Sequence, residues 1–483
     1  MRCMTLAEEL QRRGHDCILL THSSSLDIFP HLTDRGVEIQ FTAELSSFPE
    51  SEAKGLDADI FVVDNYDFQA AVETSLRSFA PIVAFDDAPG RQHDCDLLLD
   101  PTFGRRPADY RPFVPEGAQV VCGPAYALIR PAFAQLRPTS IMRTVADHLR
   151  RISVCFGATN VRGYSETIAL ALAEQFPEAT IDMIVGSAVK LSDESEKTLN
   201  ARSNIVRHVD PVNLPEILAR SDLAIGSAGT MSWERCCLAL PSVAVPLVAN
   251  QLEIAAALSI TESASVIDDG EKNVVGAVIS AATQLAREPL RRERMAACAA
   301  ALCDGRGVSR LAARIEALAT EGQGARAGIN LRPATEADSQ AVWTWRNDFQ
   351  TRRLSETTAP VTWREHSAWY SRSLENLDRL IFIAEAQDMA ETFGVVRFDR
   401  TDEQTAIVSI NLAPYSRGLG LGSHVLKSSC ALAFSAWPIG RITAKVHRDN
   451  AASERLFLNT GFKPSGPAGD FNRLELARPG FGG

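Results

Sequence analysis

The chain is short of positive charge, of long apolar runs and of paired cysteines, and each shortage removes a class of function. Across 483 residues, 49 Lys and Arg stand against 60 Asp and Glu, a net charge of −11 with a pI near 5.4. Binding to nucleic-acid phosphates needs concentrated Lys and Arg, so this balance argues against a nucleic-acid partner but leaves room for a local nucleotide pocket. No apolar stretch approaches the roughly 20 residues of a membrane span, and the first residues lack a signal-peptide pattern. The expectation is a cytoplasmic protein with no membrane partner. Ten cysteines are scattered without CxxC spacing, and Cys236-Cys237 sits in an apolar helical pattern, so buried reduced thiols and no structural metal are expected. Short repeats and low-complexity tracts are also missing.

What remains is ordinary for globular chains, 45% hydrophobic and 23% charged, at a length that predicts about three domains. The helical rhythm of Met4, Leu6, Ala7 and Leu10 ends at Gly14, and Cys17 to Thr21 reads as a strand. Further apolar strands are expected at Ile60–Val63, Ile82–Phe85, Leu97–Leu99 and Gln119–Cys122, and a second series at Ile152–Phe156, Ile181–Val185, Leu223–Ile225 and Ser242–Pro246. Their continuous apolar character fits parallel strands covered on both faces. The expected fold class is α/β: two Rossmann-like domains, 1–135 and 136–320, separated around Pro131 to Ser140. A flexible linker at 321–329 and an α+β domain at 330–483 follow.

Near the C-terminus, Arg417-Gly418-Leu419-Gly420-Leu421-Gly422 leads into the apolar stretch Ser423 to Phe434. Glycines at alternate positions let backbone N–H groups close on a phosphate, and the following helix points its positive end at the same anion. The expected ligand is a diphosphate. With Asn450, Leu456-Phe457 and Gly461-Phe462 downstream, the pattern resembles the GNAT acetyltransferases over roughly residues 330 to 475. That resemblance implies acetyl-CoA as donor and no metal. It places the pyrophosphate on Arg417, Gly418, Gly420 and Gly422, and the pantetheine arm along a splayed strand, Ala406 to Leu412, with contacts from Ile410, Leu412 and Asn450. Many members carry a Tyr that protonates the leaving thiolate where this chain has Phe457, which has no proton to donate. Ser453, Tyr415 or a water are the alternatives.

A second cradle, Gly226-Ser227-Ala228-Gly229-Thr230, lies between an apolar strand and the helical segment Met231 to Leu240. Glu234 comes one turn into that segment, and Asn250-Gln251 opens another helix one strand later. A carboxylate accepts from sugar hydroxyls while Asn and Gln both donate and accept, a set that suits a nucleotide sugar. Further stretches are Asp64-Asn65-Tyr66, Asp86-Asp87, Arg91 to Asp100 and Gly123 to Arg130. Together they resemble the MurG-like GT-B enzymes, and more closely the PseG-like UDP-sugar hydrolases, over roughly residues 1 to 320. The resemblance implies GT-B architecture and hydrolysis of UDP-2,4-diacetamido-2,4,6-trideoxy-β-L-altrose by water, with inversion and without metal. UDP would be held by Ser227, Gly229, Thr230, Glu234, Asn250 and Gln251, with Tyr66 facing the sugar. Two departures stand out. Gly157-Ala158-Thr159-Asn160 replaces a Gly-Gly-Thr-Asp-like turn, and Met1-Arg2-Cys3-Met4-Thr5-Leu6 begins just after the family's Gly-x-Gly-His loop, whose His is its proposed general base. The expectation is a start codon upstream, and an inactive hydrolase half without it. Neither His15 nor His93 is expected to substitute: His15 reads as a surface C-cap residue beside Gly14, and His93 as a loop hydrogen-bonding residue.

Trp343-Thr344-Trp345-Arg346-Asn347-Asp348 and His366-Ser367-Ala368-Trp369 resemble the PseH-like branch of GNAT enzymes, which acetylate the 4-amino group of UDP-4-amino-4,6-dideoxy-N-acetyl-β-L-altrosamine. Arg346 and His366 are then possible acceptor-binding residues. Aromatic core packing accounts equally for the tryptophans, and a packed structural role is the plainer reading of His366. The combined expectation is a bifunctional enzyme of pseudaminic acid synthesis with a UDP-amino sugar and acetyl-CoA as its partners. The alternatives are a UDP-sugar glycosyltransferase, or a non-catalytic UDP-sugar-binding module, fused to the acetyltransferase.

Overall fold

Where the sequence is apolar at every position, it forms strands with no exposed face. Ile82–Phe85 and Leu97–Asp100 are buried at all four positions, because parallel strands carry helices on both sides. The computed structural model describes residues 2–28, 32–42, 55–143, 147–157, 162–187, 189–320, 328–386 and 391–479. The chain divides into two compact units, Met1–Gly324 and Ala325–Gly483.

Among its described residues the first unit contains three sheets, all parallel. Phe61–Val63, Ile82–Phe85, Leu97–Asp100 and Gln119–Cys122 follow one another in order. Ile18–Thr21 and Glu38–Phe41 form a separate pair, and among the described residues no strand joins that pair to the other four. The third sheet runs Ser265–Val266, Ser242–Val245, Leu223–Ser227, Arg151–Cys155, Thr180–Val185, Ile205–Val209. This is the order of a doubly wound sheet, whose direction of winding reverses between Arg151–Cys155 and Leu223–Ser227. Ligands of such sheets bind beyond the carboxyl ends of the strands at that reversal.

Pro131 to Ser140, expected to separate two domains, instead lies in a helix, Pro131–Met142, that buries Phe133, Arg137, Ser140 and Ile141. Pro131 fits the first helical turn, where its missing N–H has no intrahelical partner to lose. The expected boundary at 135/136 therefore falls inside a helix. The last helix of the unit, Gly307–Ala319, returns to the first, Arg2–Arg12. Ser309 Oγ donates to the buried Glu9 carboxylate at 3.0 Å, and Arg13 reaches Glu316 at 2.9 Å. His15 pairs with Glu316 at 3.0 Å, a role beyond the expected helix end. Gly307 permits this approach, since a Cβ there would lie 2.4 Å from Ala127 O.

The second unit is a seven-stranded sheet ordered Ile329–Pro333, Arg379–Ala386, Glu391–Arg400, Thr405–Leu412, Arg441–His447, Phe471–Ala477, Lys463–Ala468. Among the described residues, only the pair Thr405–Leu412 and Arg441–His447 is parallel. Helix Leu421–Ala436 packs Val425, Leu426, Cys430, Ala433 and Phe434 onto one face. Helices Ser339–Asn347 and Trp363–Leu374 cover Ile383 and Val395 on the other. The expected linker lies mostly outside the described residues, and its last residue, Ile329, already belongs to the first strand.

Candidate functional sites

Strands Thr405–Leu412 and Arg441–His447 pair only from Thr405 to Val408, and beyond Val408 and Ala444 they part. Ala413 donates its N–H to Phe393 O at 2.8 Å. By the alternation of an antiparallel ladder, Asn411 and Ser409 face strand Glu391–Arg400, while Ile410 and Leu412 turn their backbone groups into the gap. Leu412 O is taken by Arg417 Nε at 3.0 Å, which leaves the Leu412 N–H and both groups of Ile410 facing the opening. A strand end that opens onto unpaired backbone groups can accept an extended amide-bearing chain.

The glycine loop closes one end of this gap. Gly418 and Gly420 have φ of +78° and +77°, a left-handed conformation that glycine adopts without strain. Helix Leu421–Ala436 begins there with no side-chain cap, so its first N–H groups remain for an anion. Gly422 allows Leu412 and Leu456 to approach, since a Cβ would lie 3.2 Å from Leu456 Cδ1. Asn450 caps helix Ala451–Asn459 by accepting from Ser453 N at 3.0 Å. Phe457 is a core residue, edge-on to Phe462 at 4.9 Å, and Tyr415 donates its hydroxyl to Thr392 O at 2.6 Å. Arg417 turns away from the loop: its guanidinium bonds Asp348 at 2.7 Å and Thr351 Oγ1 at 2.9 Å.

On the opposite face lie the expected acceptor residues. Arg346 Nη2 donates to Thr357 O at 2.8 Å, while its Nη1 is buried without a partner. Burial, with Arg352 and Arg397 nearby, holds the Arg346 pKa below the ordinary arginine value. His366 is buried among Trp363, Trp369 and Tyr370, and its Nε2 donates to Ser339 O at 2.9 Å. Burial lowers its pKa to about 4, so the ring is neutral and fixed. Trp343 and Trp345 are core residues, and Asn347 clamps Val361 through bonds of 2.8 and 2.9 Å.

In the first unit, the turn after Leu223–Ser227 carries the second cradle. Gly226 is required by close packing, because a Cβ would overlap Cys155 O at 2.1 Å. Ser227 O accepts from the buried Arg235 at 2.7 Å, and Gln251 Oε1 accepts from Leu247 N at 2.9 Å beside Gly229. Helix Met231–Cys237 is only seven residues long, so its dipole adds little. Thr230 and Asn250 are exposed, Asn250 in the short turn Ala249–Gln251. Glu234 Oε1 meets Arg130 Nη2 at 3.2 Å, and its Oε2 is buried with no donor. Burial raises the Glu234 pKa against the opposing pull of Arg130. The replacement Ala158-Thr159-Asn160 lies outside the described residues.

The facing strand ends carry a second polar group that sequence reasoning did not join. Arg2 spans Asp64 at 2.6 Å and Asp87 at 2.8 Å, and the exposed Tyr66 donates its hydroxyl to Asp87. Burial and Asp87 push the Tyr66 hydroxyl up to about 12. Arg105, held by Asp100 at 2.7 Å, reaches Glu253 at 3.2 Å, two residues beyond Gln251. His93 does hydrogen-bond within a loop, and it is buried there, 3.0 Å from both Glu73 and Asp86.

Residues 329–463 match the acetyltransferase (GNAT) domain family. The chain is 21% identical over 480 residues to an uncharacterised protein of Methanocaldococcus jannaschii, covering 96% of this chain and 93% of that one. It is 26% identical over 196 residues to a UDP-2,4-diacetamido-2,4,6-trideoxy-beta-L-altropyranose hydrolase of Campylobacter jejuni, covering 40% of this chain and 68% of the hydrolase. Among solved structures, Vibrio cholerae spermidine N-acetyltransferase with CoA and spermine is 17% identical, covering 32% of this chain and 97% of that one at a TM-score of 0.29. Campylobacter jejuni N-acetyltransferase PseH is 14% identical, covering 31% of this chain and 98% of that one at a TM-score of 0.25. The chain therefore carries a GNAT acetyltransferase domain at its C-terminal end, with partial similarity to a UDP-sugar hydrolase.

Proposed function

We propose that the chain is a bifunctional enzyme acting on a UDP-amino sugar. Its C-terminal domain transfers acetyl from acetyl-CoA to the 4-amino group of UDP-4-amino-4,6-dideoxy-N-acetyl-β-L-altrosamine. Its first unit binds the product, UDP-2,4-diacetamido-2,4,6-trideoxy-β-L-altrose, for hydrolysis to UDP and free sugar, a step for which none of the described residues supplies the family's general base. The observation that carries the acetyltransferase reading is the opening of the sheet at Val408 beside the loop Gly418–Gly422. The sugar reading draws on the partial similarity to the hydrolase.

The loop and the first turn of helix Leu421–Ala436 bind the CoA diphosphate, and the pantetheine amides take the unpaired groups of Ile410 and Leu412. A neutral amine attacks the thioester carbon, and a backbone N–H at the gap stabilises the developing oxyanion. Phe457 carries no transferable proton, and Tyr415 already donates to Thr392 O. Ser453 or a water therefore protonates the departing thiolate. Arg346 faces the acceptor as a desolvated cation matched to an anionic nucleotide. In the first unit, Ser227, Gly229, Thr230, Asn250 and Gln251 surround the UDP, and a ribose hydroxyl donates to Glu234.

Mass spectrometry of products from the full-length protein, the 4-amino UDP-sugar and acetyl-CoA tests this reading. The expected products are the acetylated UDP-sugar and CoA, then UDP and diacetamido sugar. UDP release that requires an acceptor glycan would make the first unit a glycosyltransferase. Thiol release without UDP release would make it a binding module.

A further inference from the structure

Arg417 stands at the start of the diphosphate loop, yet each nitrogen of its guanidinium hydrogen-bonds elsewhere. Nε bonds Leu412 O at 3.0 Å, Nη1 bonds Asp348 Oδ2 at 2.7 Å, and Nη2 bonds Thr351 Oγ1 at 2.9 Å. Asp348 Oδ2 also caps the short helix Phe349–Arg353 by accepting from Thr351 N at 3.0 Å. One guanidinium, on the residue that precedes Gly418, thus touches both the end of the splayed strand and the segment across the gap. Two more contacts join that segment to the diverging strands: Thr351 Oγ1 to Asn411 Oδ1 at 3.2 Å, and Lys445 Nζ to Glu356 at 2.8 Å. Asn411 and Lys445 both lie beyond the last paired residues, Val408 and Ala444.

We propose that Arg417 is a positioning residue: it transmits acetyl-CoA occupancy of the loop and strand to the segment Asp348–Glu356, which forms the acceptor-side wall. The proposal rests on the acetyl-CoA reading above and assigns the Arg417 side chain a role other than phosphate contact. CoA fixes the loop and the end of strand Thr405–Leu412, both anchored to Arg417, and the ion pair with Asp348 then fixes the wall. Coupling of this kind is reciprocal, so an acceptor that orders the wall tightens CoA binding by the same factor.

Asp348→Asn is the informative substitution, because Asn still caps the helix while the charge facing Arg417 is lost. Calorimetry measures CoA affinity, and amide hydrogen exchange reports residues 349–356 with and without CoA, in the full-length protein. In the wild type CoA is expected to slow exchange in this segment. In Asp348→Asn, CoA is expected to bind with nearly unchanged affinity and the slowing to disappear. The KM for the 4-amino UDP-sugar, and the KM for acetyl-CoA measured with that sugar present, should both rise about tenfold, while calorimetric CoA affinity without the sugar stays nearly unchanged. Arg417→Lys, which keeps charge but loses the fork geometry, should recover part of the exchange response. Retention of the full response in Asp348→Asn would overturn the proposal, as would an Arg417→Lys variant whose main defect is weakened CoA binding. Failure of the wild type to bind CoA in calorimetry would instead overturn the acetyl-CoA reading beneath it.

Discussion

Arg130 meets Glu234 at 3.2 Å through one carboxylate oxygen and leaves the other buried without a donor. A half-satisfied buried carboxylate is costly to the empty protein, and a ligand hydroxyl relieves that cost. The folded-state pKa of Glu234 is raised by burial. Its stability contribution is therefore fully present below the unfolded pKa of about 4.3 and lost as pH rises through the folded value. At neutral pH, Glu234→Gln should raise the melting temperature of the empty protein while weakening UDP binding about tenfold. Thermal melts with and without UDP check both signs; a lowered Tm without UDP would show that the pair with Arg130 outweighs the unpaired oxygen.

His93 sits between Glu73 and Asp86, each 3.0 Å away, with its side chain wholly buried. Burial opposes its charge, but the two carboxylates outweigh burial and raise the His93 pKa. Asp86 is lowered by His93 and by two backbone N–H groups against its own burial. The His93 contribution is present below about pH 6.5 and lost as pH rises through its raised folded value. The Asp86 contribution is present above about pH 3.9 and lost as pH falls through its lowered one. Denaturant unfolding of the first unit should show greatest stability between these limits. His93→Ala, which strands two buried carboxylates, should cost about 3 kcal/mol or more.

Gly420 has a φ of +77° and open space where a Cβ would stand. Gly420→Val is therefore opposed by backbone strain of about 1–2 kcal/mol rather than by a clash. The shift it forces on the loop should raise the KM for acetyl-CoA with no effect on UDP binding by the first unit. Steady-state kinetics and a UDP titration on the same protein separate the two sites.

Burial holds His366 at a pKa of about 4 and fixes its Nε2 on Ser339 O. The acetyltransferase rate should then show no histidine inflection between pH 5.5 and 8, apart from the ionisation of the acceptor amine. His366→Asn should lower stability without changing the shape of that profile. A pH profile that loses an inflection near neutrality in the variant would make His366 a titrating group after all.

Legibility in the sequence followed local chemistry. Ile82–Phe85 and Gln119–Cys122 fall where their apolar runs predict, and the glycines at 418 and 420 mark their loop because only that residue adopts its backbone freely. Ile205–Val209 escaped notice because Val206, Arg207 and Val209 are exposed on an edge strand, and Ser265–Val266 because two residues carry no pattern. The stretch Pro131 to Ser140, expected to separate two domains, is helical because Pro131 fits a first helical turn and Phe133 and Ile141 are buried. The ion pairs were invisible for a simpler reason. Arg417 and Asp348 are 69 residues apart, Arg130 and Glu234 are 104, and Arg105 and Glu253 are 148, distances at which only the folded chain brings partners together.

The most direct test of the central claim is a single time course. The full-length protein, acetyl-CoA and UDP-4-amino-4,6-dideoxy-N-acetyl-β-L-altrosamine are mixed without any acceptor glycan, and free thiol and free UDP are followed together. The account predicts thiol release first, UDP release after it, and no UDP release when acetyl-CoA is withheld. UDP release from the unacetylated sugar, or no thiol release at all, would contradict it.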